Sequence, residues 1–313
     1  MTKTHRLSII IVNYNGGSYI LNCLQSVETH IKKDCEIIVV DNHSEDGSPE
    51  RIKSKYPHIR FIENYKNLGF AAANNQGARV ASGKFLLLLN PDAYLTTSLD
   101  GALDMMDADP LIGVLGCKIV NPDKTTQFTI GLDHHPLRLI LSWFGIGRLF
   151  PFDIFHRVKS DERHYSYTHE ADWVSGAFLL TRKNKWSQLG GLDENYFMYM
   201  EDVDYCKRVK CHGNKVIFYS GAVVVHDEGM GREWLGYKTL NSICSSYLIY
   251  TNHYYGIWGR RSVQCGLIMA MMVRGLMYYL MSRLTRSKKS LHYAERAPAF
   301  IKVGKQLLAD HKW

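Results

Sequence analysis

Carboxylate and imidazole side chains follow apolar runs of this 313-residue sequence at several points where a strand is predicted to end. They could accept a proton or bind a ligand there, and the candidates are Asp41, Asp92, Glu201, Asp202, Asp204 and His226. Each also has an ordinary structural explanation. An aspartate commonly caps the loop after a strand, and carboxylates at a helix N-terminus interact favourably with the helix dipole. None of these residues is decisive when it is taken alone.

The elements that would position these residues alternate between strand and helix signals over the first 120 residues. The apolar runs Leu7–Val12, Glu36–Val40 and Lys84–Leu89 lack polar alternation, which is typical of strands buried on both faces. They predict a parallel sheet covered by helices, and ligands bind beyond the carboxyl ends of such strands. The sequence holds unusual residues at these ends, namely Asn13-Tyr14-Asn15, Asp41-Asn42 and Asn90-Pro91-Asp92.

The second half of the chain is less regular. Residues 119–172 are rich in His and aromatic residues, and their pattern predicts no element. From Trp173 onward the pattern predicts a strand over Gly176–Thr181, a helix over Glu201–His212 and two strand pieces, Lys215–Tyr219 and Ala222–His226.

Seven segments, taken in order, resemble the family 2 glycosyltransferases and are most similar to the bacterial rhamnosyltransferase-like branch. They are SIIIVNYN (8–15), VVDNHSEDGS (39–48), NLGFAAANNQG (67–77), LLLLNPDA (86–93), WVSGAFLLTR (173–182), GGLDENYFMYMEDVDYCKR (190–208) and VVVHDEG (223–229). The resemblance implies an α/β, Rossmann-like A-type glycosyltransferase fold with a mixed central sheet. It places a catalytic domain at residues 1–230, with a nucleotide-donor half at 1–118 and an acceptor half at 119–230, followed by a C-terminal helical, membrane-proximal region at 231–313.

Roles for single residues follow from the same resemblance. Tyr14 lies where the family stacks the nucleotide base, and Asp41 lies where a carboxylate accepts a hydrogen bond from the base N3–H, which suits uracil or thymine. The remaining residues expected near the nucleotide are Asn15, Asn67 and Asn90. Asn67 and Asn74 fit the pattern NxGFxxxN, although they could equally cap the helix that follows Phe70.

The resemblance also implies a divalent cation, Mg²⁺ or Mn²⁺, held by Asp92 and His226. Asp92 occupies the last position of the family's Asp-x-Asp motif, whereas Asn90 stands at the first position, so one carboxylate is lost. Negative charge builds on the leaving phosphate as the sugar–diphosphate bond breaks, and a cation bridging its oxygens lowers the barrier. An imidazole ligand favours Mn²⁺ slightly.

The catalytic base implied by the resemblance is Asp202. An acceptor hydroxyl must lose its proton as it attacks the sugar, and one carboxylate base without a covalent nucleophile means inversion. We expect the neighbouring carboxylates Glu201 and Asp204 to raise the pKa of Asp202. Residues expected at the sugars are Glu201, Gly176, which lets backbone approach the sugar, and Trp173, which is either a core residue or a platform.

The net charge of +8 is concentrated in the C-terminal tail, where residues 256–313 carry eleven Lys and Arg against two acids. The charges bracket the apolar stretch Val263–Met281, which is near the length of a membrane span but contains Gln264 and Arg274. This pattern favours a helix lying in the interface of an anionic membrane. The alternative is a helical pair packed on the core. Nucleic-acid binding is not expected, because the charges do not interleave with polar positions.

The seven scattered cysteines and the absence of a signal-peptide pattern predict a cytoplasmic protein on the inner face of a bacterial membrane.

The expected function is inverting transfer of a sugar, foremost L-rhamnose from dTDP-L-rhamnose, to a glycan or lipid-linked saccharide of the cell surface. A UDP-hexose or UDP-N-acetylhexosamine donor is the alternative, and an inactive membrane-associated scaffold is the alternative of another class. A sugar nucleotidyltransferase is disfavoured because residues 13–18 lack the basic residues of a phosphate loop. Formation of a homodimer is left open.

Overall fold

The computed structural model describes residues 5–31, 34–145, 158–227, 236–284 and 289–309. The chain divides into two compact units. Unit 1 comprises residues 1–133, 158–197 and 201–230, and unit 2 comprises residues 134–157, 198–200 and 231–313. The domain boundaries expected from the sequence, with a catalytic domain at residues 1–230, its halves at 1–118 and 119–230, and a C-terminal region at 231–313, stay predictions.

Eleven strands and nine helices are found in the described residues. The strands are β1 (Leu7–Asn13), β2 (Cys35–Asp41), β3 (Arg60–Glu63), β4 (Phe85–Leu89), β5 (Ala93–Leu95), β6 (Ile112–Val120), β7 (Ile130–Gly131), β8 (His169–Glu170), β9 (Trp173–Val174), β10 (Phe178–Arg182) and β11 (Lys215–His226). The helices are α1 (Tyr19–His30), α2 (Ser48–Lys55), α3 (Phe70–Val80), α4 (Asp100–Ala108), α5 (Pro136–Trp143), α6 (Lys183–Leu189), α7 (Glu201–Cys211), α8 (Tyr237–Leu284) and α9 (Lys289–Ala309).

Unit 1 is built on a nine-stranded mixed sheet with the order β3-β2-β1-β4-β10-β6-β11-β5, and β8 pairs with β11. The neighbours β3, β2, β1 and β4 are mutually parallel, as the apolar runs predicted. Strand β10 is antiparallel to both β4 and β6, which makes the sheet mixed. Every residue of β1 and β4 is buried, which accounts for their unbroken apolar sequences.

The register brings the functional candidates to one edge of this sheet. Asn13, the last residue of β1, lies beside Asp41, the last residue of β2. The two strand pieces predicted between residues 215 and 226 form one twelve-residue strand, β11, with a register shift between Tyr219 and Val223. The end of β11 pairs with β5, so that His226 lies opposite Ala93, next to Asp92.

Unit 2 contains the helices α5, α8 and α9. Helix α8 consists of two helical stretches joined at Gly256, whose φ of +65° a residue with a side chain rarely adopts. Two polar residues of the apolar stretch are bonded within the unit. The Gln264 side-chain amide donates to the Leu307 carbonyl at 2.8 Å, and the Arg274 guanidinium donates to the Trp143 carbonyl at 2.7 and 2.9 Å.

The second stretch of α8 carries a stripe of exposed apolar residues at helical spacing. We call it the outer stripe, and it comprises Met269, Met272, Val273, Leu276, Met277, Leu280 and Leu284. Within the part of the chain that the structure describes, α8 is the one helix whose length and composition would allow it to cross a membrane, and 28% of its most apolar window is buried. Residues 285–288, which include Arg286 and Lys288 of the basic residues that follow the apolar stretch, lie outside the described residues.

Candidate functional site

Asp92 and His226 lie side by side at the strand ends, with Asp92 Oδ1 3.2 Å from His226 Nε2. The pairing of β5 with β11 produces this contact, and the Asp227 N–H donates to the Asp92 carbonyl at 2.9 Å. The Asn90 side-chain nitrogen also lies 3.2 Å from His226 Nε2. The three residues that the sequence assigned to the cation and the nucleotide therefore form one cluster.

A fourth residue of this cluster, Gln127, was not predicted. Its side-chain oxygen lies 3.0 Å from Nδ1 of His226. It belongs to the stretch 119–172, whose pattern predicted no element, and no local signal in the sequence marks it.

Asp202, the predicted base, lies in the first turn of α7 and is partly exposed. The N–H of Gly176 donates to its Oδ2 at 2.8 Å, and the N–H of Val203 donates to its Oδ1 at 2.8 Å. The surrounding protein raises the pKa of Asp202 above its ordinary value, and these two hydrogen bonds partly oppose that rise. A carboxylate with a raised pKa is a stronger base than an ordinary aspartate.

The cause of this rise differs from the one that we expected. Burial, and not repulsion by Glu201 and Asp204, raises the pKa of Asp202. Asp204 is paired with Arg208 at 2.7 Å, one helical turn further on. Glu201 is 5% exposed, and its Oε2 has no hydrogen-bond partner among the residues that the structure describes. Burial, followed by the nearby charge of Asp202, raises the pKa of Glu201 well above its ordinary value.

The base and the Asp92–His226 cluster are linked through the backbone at Ala177. The N–H of Asn90 donates to the Ala177 carbonyl at 3.1 Å, and the adjacent residue Gly176 bonds Asp202. The antiparallel pairing of β10 with β4 makes this link, since Phe178 lies opposite Leu89. Both groups therefore meet at the same edge of the sheet.

The residues assigned to the base of the nucleotide lie at the ends of β1 and β2. Tyr14 is 45% exposed, as a stacking platform requires. Asp41 is 1% exposed, and its two oxygens accept from the Asn13 side-chain amide at 2.7 Å and from the Ser44 N–H at 2.9 Å. Asn15 is exposed, and its side-chain oxygen accepts from the Glu45 N–H at 2.8 Å.

Asn67 and Asn74 both make contacts that shape the start of α3. The Asn67 side-chain oxygen accepts from the Asn42 side chain at 3.0 Å and from the Gly69 N–H at 2.9 Å. Asn74 is buried, and its side chain donates to the Phe70 carbonyl at 2.9 Å. The N-cap residue of α3 is Gly69, which has no side-chain cap, and Asn74 lies inside the helix. The expected position of Asn67 and Asn74 near the donor stays a prediction.

Trp173 and Gly176 come from β9 and from the turn that follows it. Trp173 is 8% exposed, and its indole N–H donates to the Leu132 carbonyl at 3.1 Å. Of the two alternatives for Trp173, a core residue matches this burial. Gly176 brings its backbone against the Asp202 side chain.

The chemistry of the donor set fits a divalent cation. Adjacent ligands of an octahedral ion with bonds of about 2.1 Å are roughly 3.0 Å apart, close to the 3.2 Å between Asp92 Oδ1 and His226 Nε2. No group of three or more His, Cys, Asp or Glu side chains that could hold a metal ion occurs among the described residues. Two protein ligands suffice where substrate phosphates complete the coordination shell.

The sequence of this chain is similar to that of a known protein family. The sequence model of glycosyl transferase family 2 matches residues 8–185. An N-acetylglucosaminyl-diphospho-decaprenol L-rhamnosyltransferase of Mycobacterium tuberculosis is 27% identical over 273 residues, which cover 82% of this chain and 87% of that protein. The rhamnosyltransferase WbbL of Escherichia coli is 26% identical over 235 residues, covering 70% and 82%.

Solved structures share the fold. A mannosyltransferase from Pyrobaculum calidifontis in complex with GDP-Man and Mn²⁺ covers 99% of this chain and 89% of its own, with a TM-score of 0.56 and 16% identity. GalNAc-T7 with UDP, GalNAc and Mn²⁺ covers 72% of this chain and 43% of its own, with a TM-score of 0.54 and 18% identity. The Rossmann-like A-type glycosyltransferase fold with a mixed sheet is thereby confirmed.

Proposed function

The chain belongs to glycosyl transferase family 2, and we propose that it transfers L-rhamnose from dTDP-L-rhamnose to a glycan or lipid-linked saccharide, with inversion and with the help of a divalent cation. That it is a glycosyltransferase follows from the family match and from the relatives. One observation carries the finer proposal. The cation-binding pair Asp92–His226 and the base Asp202 lie at one sheet edge, joined through Asn90 and Ala177.

In the proposed mechanism, Asp202 accepts the proton of the acceptor hydroxyl. The acceptor hydroxyl oxygen forms a bond to the anomeric carbon while its proton passes to the Asp202 carboxylate. The bond from the anomeric carbon to the diphosphate oxygen breaks, and its electron pair stays on the diphosphate. The N–H groups of Gly176 and Val203 hold the carboxylate in place, so that it requires no reorientation during the step.

Asp92 and His226 would hold the cation, and Asn90 orients the imidazole from the side. When bound, the cation supplies the positive charge that neutralises the leaving diphosphate. The two solved glycosyltransferases with Mn²⁺ have the same fold and support a cation of this class. Separate titrations with Mg²⁺ and Mn²⁺ identify the ion that the protein prefers.

The nucleotide proposal rests on Tyr14 and Asp41. Tyr14 is exposed enough to stack on a base. Each Asp41 oxygen has a lone pair beyond the one used by Asn13 or Ser44, and it could accept the N3–H of thymine or uracil. L-rhamnose is favoured by the two rhamnosyltransferase relatives, and a UDP-hexose or UDP-N-acetylhexosamine is the alternative donor.

A lipid-linked acceptor would place the enzyme at a membrane. The Mycobacterium tuberculosis relative is named for such an acceptor. We infer that unit 2 docks on the anionic inner face of the cell membrane through the outer stripe of α8. Gln264 and Arg274, the two polar residues that oppose insertion, are bonded within unit 2, which leaves the stripe apolar.

The donor is tested by thermal unfolding with a panel of nucleotide sugars in the presence of Mn²⁺, followed by product analysis. A ligand at 100 times its dissociation constant adds about 2.7 kcal/mol to stability. We expect dTDP-L-rhamnose to raise the melting temperature most and to yield free dTDP with an acceptor saccharide. A larger shift with a UDP sugar would establish the alternative donor.

A further inference from the structure

Gln127 lies on the Nδ1 side of the His226 ring, and hydrogen bonds hold it there. Its own N–H donates to the Ile119 carbonyl at 2.9 Å, and its side chain is 8% exposed. The preceding turn is closed by Asp123, whose side-chain oxygen accepts from the N–H of Thr125 at 3.0 Å. The loop therefore fixes both the backbone and the side chain of Gln127.

The orientation of the Gln127 amide follows from a neighbour that cannot donate. Its side-chain nitrogen lies 2.8 Å from the His226 carbonyl, which is only an acceptor, and 2.7 Å from the Asn121 side-chain oxygen. The Gln127 side-chain oxygen is therefore the atom that faces His226 Nδ1 at 3.0 Å. An oxygen in that position accepts, so Nδ1 carries the hydrogen of the neutral ring.

In the neutral ring, this assignment leaves Nε2 of His226 without a hydrogen and with a lone pair that can bind a cation. Nε2 and Asp92 Oδ1 are then two electron-rich atoms facing each other at 3.2 Å. Such a pair repels unless a metal ion binds the two atoms or a proton lies between them. The Asn90 side chain can donate to Nε2, but it offers nothing that would relieve Asp92.

We propose that Gln127 is a positioning residue that holds His226 in the Nδ1–H tautomer and thereby keeps Nε2 ready to bind the divalent cation. The proposal rests on the cation site proposed above. Outer partners of histidine ligands typically change metal affinity by roughly 10- to 100-fold when they are replaced. Gln127 touches neither the nucleotide nor the sugar in this proposal and acts through His226 alone.

The test compares Gln127→Leu, which removes the acceptor in a side chain of similar size, with Gln127→Glu, which keeps an acceptor facing Nδ1. Lys124→Gly, at an exposed residue of the same turn with a φ of +68°, is the matched control. The tautomer is measured without metal by long-range ¹H–¹⁵N correlation NMR on histidine-labelled protein, with His226→Gln used to assign the signal. Mn²⁺ binding is measured by electron paramagnetic resonance in the presence of dTDP, and thermal unfolding checks that each variant is folded.

We expect the Nδ1–H signal of His226 in the wild type, in Gln127→Glu and in Lys124→Gly, and its loss or mixing in Gln127→Leu. The Mn²⁺ dissociation constant should rise about 10- to 100-fold in Gln127→Leu alone. An unchanged tautomer and an unchanged affinity in folded Gln127→Leu would overturn the inference and leave the cation site standing. A wild type that shows the Nδ1–H signal but binds no Mn²⁺ would overturn the cation site, and this inference with it.

Discussion

The backbone N–H of Gly176 donates to Oδ2 of Asp202 at 2.8 Å, so the proposed base is anchored by a residue of the turn between strands β9 and β10. The same turn reaches Asn90 through the Ala177 carbonyl. The position of the base relative to Asn90 is thus set by backbone hydrogen bonds, which vary less than contacts between long side chains.

Replacing Asp202 with Asn should nearly abolish turnover while donor binding survives. The amide keeps an oxygen for the N–H of Gly176 but cannot take the acceptor proton. Loss of a general base costs roughly 100- to 10,000-fold in rate. Single-turnover kinetics measure the chemical step, and calorimetry measures donor affinity.

Asp204→Asn is the matched control for Asp202→Asn. It weakens the 2.7 Å pair with Arg208 in the same helix, so it should lower the melting temperature yet keep most of the chemical rate. Single-turnover rates of Asp202→Asn within a factor of three of the wild type would rule out Asp202 as the base.

Gly176→Ala should slow the chemical step by roughly tenfold, because small displacements of reacting groups are costly. A Cβ at this position would lie 3.3 and 3.4 Å from two atoms of the Phe70 ring, so that either the ring or the backbone that holds Asp202 must shift slightly, and it would be in ordinary contact with Asp202 Cβ at 3.5 Å. Adding Phe70→Leu should make room and recover much of the rate. A double variant as slow as Gly176→Ala would show that crowding against Phe70 is not the cause.

Glu201 should make the protein less stable as the pH rises. Burial raises its pKa in the folded state, so folded protein keeps the proton above the ordinary pKa of 4.5 while the unfolded chain loses it. The free energy of unfolding then falls with pH, by at most about 1.4 kcal/mol per pH unit, until the folded group ionises. The stabilising effect is complete below the ordinary pKa.

Glu201→Gln removes this titration, so its free energy of unfolding should depend less on pH than that of the wild type between about pH 5 and pH 8. Urea unfolding at several pH values measures the difference. Asp202 titrates in both proteins, so the difference between them reports the titration of Glu201 together with its interaction with Asp202. Equal slopes in the two proteins would show that Glu201 ionises normally.

Asp92→Ala and His226→Ala should each raise the Mn²⁺ concentration needed for half-maximal activity, because each removes one of the two proposed protein ligands. Titrations with Mn²⁺ and Mg²⁺ in separate series measure the effect and identify the preferred ion. Activity of the wild type in EDTA, or unchanged metal responses in both variants, would place the cation elsewhere.

The parallel part of the sheet could be predicted from the sequence, because strands that are buried on both faces, such as Leu7–Asn13, consist mainly of apolar residues. It predicted the partners Asp92 and His226 only through family resemblance, since residues 134 positions apart carry no local signal of contact. The sequence predicts two strand pieces where the structure has the continuous strand β11, because Ser220 and Gly221 interrupt the apolar pattern. Pairing with β6 resumes at Val223 after a shift of register.

Other features of the site depend on tertiary burial and could not be predicted locally. The expected repulsion among Glu201, Asp202 and Asp204 assumed three comparable carboxylates, whereas Arg208 neutralises Asp204 and burial affects the other two. Gln127 reaches His226 from a turn whose sequence resembles any polar loop. Both depend on what surrounds a side chain, which composition and spacing do not encode.

The outer stripe of α8 should attach the protein to anionic bilayers. Each Lys or Arg near such a surface contributes about 1 kcal/mol, and the apolar stripe adds more on insertion. Vesicle flotation with anionic and neutral lipids, at low salt and at 1 M salt, measures the binding. Attachment by charge should weaken at high salt because the screening length shortens to roughly 3 Å.

Leu276→Glu combined with Leu280→Glu places two charges on the stripe and should abolish flotation, whereas Leu111→Glu, at an exposed leucine of unit 1, should not. Equal binding of the wild type to neutral vesicles at both salt concentrations would indicate a membrane span or purely hydrophobic insertion, since neither depends on charge. No binding to either vesicle would mean that the outer stripe packs within the protein or between subunits. In that case a lipid-linked acceptor would have to reach the enzyme without help from unit 2.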